Sequence, residues 1–171
     1  MKNNNSIKTV VAVGIGAALF FVLGRFVAIP SPVPNTNISL QYAVLALLAA
    51  MYGPVAGGLI GFIGHTLIDL SWGGSPWWSW VIASAFVGVV VGLFAKKLDL
   101  QEGEFGKKKM AAFTAANIAA HLLAWIVVAP VLDILIYAEP AKKVFAQGAF
   151  AAVSNIITAV VVGGLLVLAY T

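Results

Sequence analysis

The sequence predicts an all-α integral membrane protein, with six transmembrane helices in a single domain over residues 1–171 and both termini in the cytoplasm. The chain is 61% hydrophobic and only 9% charged, with a mean hydropathy of +1.00, so most of it belongs in a bilayer. Its apolar runs approach the roughly 20 residues that cross a hydrocarbon core, and breaks rich in proline, glycine or lysine separate them. Its cations segregate between alternate connections, as the positive-inside rule requires. The absence of cysteine excludes structural disulfides and thiolate metal sites. A net charge of +4 without any basic helical face excludes a nucleic-acid footprint and leaves the lipid bilayer as the implied surroundings.

The first span is 9–28. Lys2 and Lys8 lead straight into it, and its length marks a retained helix, not a cleaved signal. Ile29-Pro-Ser-Pro-Val-Pro-Asn-Thr-Asn37 breaks it, because each proline lacks a backbone donor and pushes its predecessor toward extended geometry. A short second span, 38–52, ends at Gly53-Pro54. The third, 55–70, carries Gly57, Gly58, Gly61 and Gly64, which suits close helix contact. A polar-aromatic loop precedes the fourth span, 80–94, and the connection 96–109 is aqueous, with five lysines and three acids. Spans five and six cover 110–129 and 144–170, and residues 131–137 between them either continue the helix or lie in the interface. Lys2, Lys8, Lys96, Lys97, Lys107, Lys108 and Lys109 then share the cytoplasmic side, against Arg25, Lys142 and Lys143 outside.

Threading gives depth to the few polar residues. His65 and Asp69, four apart and so on one helix face, fall in the outer part of span three. Gln41 opens span two, Trp77 and Trp78 precede span four, and Ser84 lies one turn into it. Asn117 and His121 share a face of span five, with Gln147 and Asn155 on span six. Polar groups at membrane depth cost several kcal/mol unless they face a protein interior, so these residues define a ligand pocket opening outward. His65–Asp69 is either a ligand-orienting pair or a satisfied interhelical contact. Two such groups are too few to specify a metal, and no cofactor is implied. The tryptophans suit either an interfacial belt or a lid stacking on a planar heterocycle. Arg25 either snorkels to the interface or guards the pocket mouth. On the cytoplasmic half of span one, Ala12-x3-Gly16 and Gly14-x3-Ala18 form two small-residue pairs that invite a partner helix.

With Pro34-Asn-Thr-Asn-Ile-Ser-Leu-Gln-Tyr-Ala43, Tyr52-Gly-Pro-Val-Ala-Gly57, Gly61-Phe-Ile-Gly-His65 and Gly74-Ser-Pro-Trp-Trp-Ser-Trp80, these features give a pattern that resembles the S components of energy-coupling factor (ECF) transporters. The resemblance is to the riboflavin-type family and its hydroxymethylpyrimidine-like branch. It implies a multi-pass subunit of the bacterial cell membrane that binds a vitamin from outside and hydrolyses nothing. The favoured ligand is a hydroxymethylpyrimidine or B6-like ring, with riboflavin next. The implied partners are a transmembrane T component, docked on Ala12, Gly14, Gly16 and Ala18, and two cytoplasmic ATPases. The absence of a Walker P-loop agrees with energy supplied by partners. Two alternatives differ in kind. A stand-alone secondary transporter or channel would show inverted repeats or a polar path to both faces. An intramembrane enzyme using His65, Asp69 and His121 would release a changed product.

Overall fold

Proline and glycine punctuate the chain, and its helices end where they stand. The structure, a computed structural model, describes residues 2–101 and 105–171, with side chains from Ser6 onward. The Lys2 side chain and Glu102 and Glu104 of the lysine-rich connection lie outside the described residues. Helix α1 is Lys2–Phe26, α2 Gln41–Tyr52, α3 Pro54–Ser71, α4 Trp78–Leu93 and α5 the short Ala95–Leu98. Helix α6, Lys107–Leu122, passes through a π-helical turn at Leu123–Val128 into α7, Ala129–Tyr137. Helix α8, Ala141–Ile157, passes through a second such turn at Thr158–Val162 into α9, Gly163–Tyr170. Among the described residues, four stretches are long and apolar enough to cross a membrane: Ser6–Phe26, Pro54–Ser71, Lys107–Tyr137 and Ala141–Tyr170. Helices α2 and α4 are apolar but shorter. Residues 131–137 are therefore helix. The π turn loosens the hydrogen-bond ladder just where Pro130 removes a donor.

The proline-rich segment after α1 is a folded hairpin. Strand β1, Ile29–Pro30, pairs antiparallel with β2, Asn37–Ile38. The Ser31 and Thr36 hydroxyls bond across it, and Thr36 Oγ1 donates to the Val33 carbonyl at 2.7 Å. In the connection after α4, Leu98 and Leu100 are buried in the core, so that stretch is not wholly aqueous as the lysines imply.

A twelve-residue helix rises only about 18 Å, short for a bilayer. Helix α2 resolves this by position, since none of its residues is exposed. It is enclosed by α1, α3, α4 and α9, and its buried alanines (Ala43, Ala46, Ala49, Ala50) let those neighbours come close. At Gly53 the chain turns into α3 with φ 89° and ψ −176°, a conformation nearly reserved for glycine.

Helices α3 and α4 pack backbone against backbone in one antiparallel register. Gly53, Gly57 and Gly61 oppose Gly92, Gly88 and Ser84 in turn. A Cβ added at Gly57 would run into the Gly88 carbonyl, and one at Gly61 into the Ser84 carbonyl. Overpacking such a contact typically costs about 1–3 kcal/mol or more. Gly57→Leu is therefore expected to lower the thermal unfolding temperature of the detergent-solubilised protein by several degrees. Gly14→Leu, at a position where a Cβ has nothing within 4 Å among the described residues, is expected to leave it unchanged. Equal unfolding temperatures for the two variants would rule out the tight α3–α4 contact.

Candidate ligand-binding site

The hairpin between α1 and α2, the α3–α4 loop and the α7–α8 connection meet at one end of the bundle, around a cavity of about 620 Å³. That volume lies within the usual range for small-molecule sites. Gln41, His65, Asp69, Trp77, Gln147 and Asn155 all line it, brought together from α2, α3, the α3–α4 loop and α8. Tyr42, Trp72, Trp80, Asp133, Glu139 and Lys143 also line it.

A polar network runs inward from the Asp69 wall. His65 Nε2 stands 3.7 Å from Asp69 Oδ1, His65 Nδ1 lies 2.6 Å from Ser84 Oγ, and Ser84 Oγ lies 2.8 Å from the Tyr42 hydroxyl. The two readings of His65 thus coincide: its ring makes an interhelical hydrogen bond while its other nitrogen faces a cavity carboxylate. Ser84 is wholly buried and holds the network together without lining the cavity.

Asn117 and His121 are wholly buried too, and neither reaches the cavity. The His121 ring packs edge-on against Tyr42 with centroids 5.2 Å apart, and its Nδ1 accepts from Trp125 Nε1 at 3.0 Å. Asn117 Nδ2 donates to the Phe113 carbonyl at 2.9 Å. The other polar atoms of these two side chains, Asn117 Oδ1 and His121 Nε2, have no partner among the described residues. His65, Asp69 and Asn155 therefore converge, whereas His121 stands apart from them behind Tyr42.

The tryptophans divide by role. Trp77 stacks on Tyr137 with centroids 3.9 Å apart. Its backbone N–H donates to Asp69 Oδ2 at 2.8 Å, and its indole N–H to Asp133 Oδ1 at 2.6 Å. Trp80 Nε1 donates to Asp133 Oδ2 at 3.1 Å, and the Ser79 hydroxyl also donates to Asp133. Trp78 instead stacks on Phe62, is 41% exposed and does not line the cavity. Arg25 lays its guanidinium over the Trp72 ring at 3.7 Å and donates from Nε to Ser71 Oγ at 2.9 Å. It braces one wall of the mouth.

Asp133 is the most heavily hydrogen-bonded of the lining residues that sequence reading missed. It is 2% exposed, accepts three hydrogen bonds and fastens the end of the α3–α4 loop and the first turn of α4 to α7. A lone carboxylate in the apolar run Val131-Leu-Asp-Ile-Leu was the available signal, but it counts only once that run is recognised as helix.

The small residues of α1 split into two faces. Ala12 and Gly16 are buried, and a Cβ at Gly16 would stand 2.7 Å from both Ile60 Cδ1 and Leu48 Cδ1. Gly16 therefore packs inside the fold against α2 and α3. Gly14 and Ala18 are exposed beside Val11, Ile15 and Val22, so only this second pair fits an outward docking surface.

The family model for ECF-type riboflavin transporter S components matches residues 4–171. A UPF0397 protein of Enterococcus faecalis is 52% identical over 170 residues, covering 99% of this chain and 93% of the relative. One from Exiguobacterium is 55% identical over 168 residues, covering 98% and 92%. Among solved structures, the S-component for biotin from an ECF-type ABC transporter superposes with a TM-score of 0.64. The match covers 97% of this chain and 94% of that one at 20% identity, a likeness of fold.

Proposed function

The chain belongs to the family of ECF-type riboflavin transporter S components, and from that premise we propose that its cavity captures a planar, vitamin-like heterocycle for ATP-driven import. A member of this family is a non-catalytic transport subunit and a multi-pass membrane protein, which sets aside the intramembrane-enzyme alternative. Membership also implies a T component, ATPases and a vitamin substrate.

The observation that carries the capture reading is a cavity at one end of the bundle, walled by indole, phenol and amide side chains and closed beneath by buried residues such as Ser84, His121 and Trp125. Sites for small ligands combine apolar walls with a few placed polar groups in this way. We read the topology as six crossings, with α2 and α4 as the short ones, both termini cytoplasmic and the cavity facing outward. The lysine asymmetry supports this orientation. Of the ligands considered, a hydroxymethylpyrimidine or B6-like ring leads and riboflavin follows. Gly14 and Ala18 form the proposed docking face for the T component, which works with two ATPases.

Reconstitution tests the reading. Proteoliposomes containing this chain, the T component and the ATPases are expected to accumulate at least one labelled ring among hydroxymethylpyrimidine, the B6 vitamers pyridoxine and pyridoxamine, and riboflavin, and only with internal ATP. The chain alone is expected to bind without accumulating. Accumulation by the chain alone would favour the stand-alone transporter.

A further inference from the structure

Charge is not balanced inside the cavity. Its lining carries three carboxylates, Asp69, Asp133 and Glu139, against one ammonium, Lys143. Lys143 Nζ is engaged by Glu139 at 2.7 Å. Asp133 accepts only from neutral donors, two indole N–H groups and the Ser79 hydroxyl, which disperse its charge without cancelling it. Asp69 accepts the Trp77 backbone N–H on Oδ2. Its Oδ1 has the His65 ring 3.7 Å away, beyond hydrogen-bond reach. Arg25 is held on Trp72 and Ser71 and, among the described residues, forms no ion pair with either aspartate. The same space is faced by Asn155, which is 5% exposed and whose side-chain amide makes no hydrogen bond among the described residues.

We propose that the ligand of this cavity is a cation: an aromatic heterocycle bearing a protonated amine or a quaternary ring nitrogen, with its positive charge against Asp69 Oδ1. This rests on the capture reading above. A part-buried carboxylate in the cavity wall with no cationic partner attracts a positive charge, which offsets the cost of its partial burial. Indole and phenol rings attract cations through the negative faces of their π systems, and Tyr42, Trp72, Trp77 and Trp80 surround the same volume. A neutral ring leaves the imbalance in place, and an anion worsens it. Asn155 supplies the hydrogen-bonding partner for the polar edge of the ring.

The test uses the full chain purified in detergent. Small molecules released on denaturation are identified by mass spectrometry. The protein is then titrated with two pairs of probes, followed by tryptophan fluorescence. Pyridoxamine and pyridoxine differ by an ammonium in place of a hydroxyl; thiamin and riboflavin are a cationic and a neutral vitamin. The expected result is a cationic co-purifying molecule or, from an empty preparation, at least one cationic probe bound about tenfold or more tighter than its neutral counterpart. Asp69→Asn keeps an oxygen for the Trp77 N–H and removes the charge. It is expected to weaken the cation by about 10- to 100-fold, the range for a hydrogen bond to a charged group. A neutral or acidic co-purifying molecule, a preference for pyridoxine or riboflavin, or unchanged cation affinity in Asp69→Asn overturns the inference and leaves the capture reading standing. A preparation that yields no molecule and binds none of the four probes overturns both. If Asp69→Asn does not fold, the wild-type ligand and probe preference decide.

Discussion

Asp133→Ala is expected to abolish high-affinity binding, lowering affinity for the co-purifying ligand by about 100-fold or more while the helices remain inserted. The carboxylate holds Trp77 and Trp80 by their indole N–H groups, and Ser79 by its hydroxyl. Removing it strands the buried Ser79 hydroxyl, which costs about 1–3 kcal/mol unless it finds a new partner, and releases two part-buried indole N–H groups. The α3–α4 loop and the first turn of α4 escape that cost by moving, which carries Trp77 and Trp80 out of the cavity wall. Leu135→Ala, on the same helix but 75% exposed, is expected to leave affinity unchanged. Equilibrium titration of both variants, with unfolding temperatures measured alongside, separates loss of the wall from loss of the fold. Wild-type affinity in Asp133→Ala would mean the loop holds its place without this fastening.

The second large effect separates binding from transport. Gly14→Trp is expected to retain ligand affinity in the isolated protein and to lose nearly all ATP-dependent uptake together with co-purification of the T component. Among the described residues nothing lies within 4 Å of a Cβ at Gly14, so the indole projects outward, where a partner helix would have to approach. Gly16→Trp is the contrasting variant, because its side chain meets Ile60 and Leu48 and is expected to destabilise the protein itself. Full uptake by Gly14→Trp would place the docking surface elsewhere.

The two small-residue pairs show what a sequence can and cannot say about this fold. Ala12-x3-Gly16 and Gly14-x3-Ala18 are equivalent as motifs, and both permit close approach. Only the positions of α2 and α3 decide that Gly16, in the first pair, is already covered. The cavity residues divide in the same way. Gln41, His65, Asp69, Gln147 and Asn155 are legible because depth along a span and helix periodicity place them at one level on inward faces. Ser84 and His121 have the right depth too, but Tyr42 occupies the space between His121 and the cavity. A large aromatic in a short alanine-rich helix gives no sign of that from its own sequence. Trp72 and Trp80 were present in the tryptophan-rich stretch, yet nothing local distinguishes an indole turned inward from one turned outward like Trp78.

The π turn at Leu123–Val128 sets the angular phase of everything that follows it. At about 100° per residue, an uninterrupted α-helix from His121 would place Asp133 roughly 120° around the axis, away from the interior. A π turn absorbs about one extra residue, which brings the offset back to roughly 20°, and both side chains are found buried on inward faces. The indole-binding carboxylate therefore depends on an irregularity one to two turns before it. A single-residue deletion there would restore a regular α-helix and keep Asp133 facing inward, whereas a single-residue insertion would turn it about 100° toward lipid without altering any residue of the cavity.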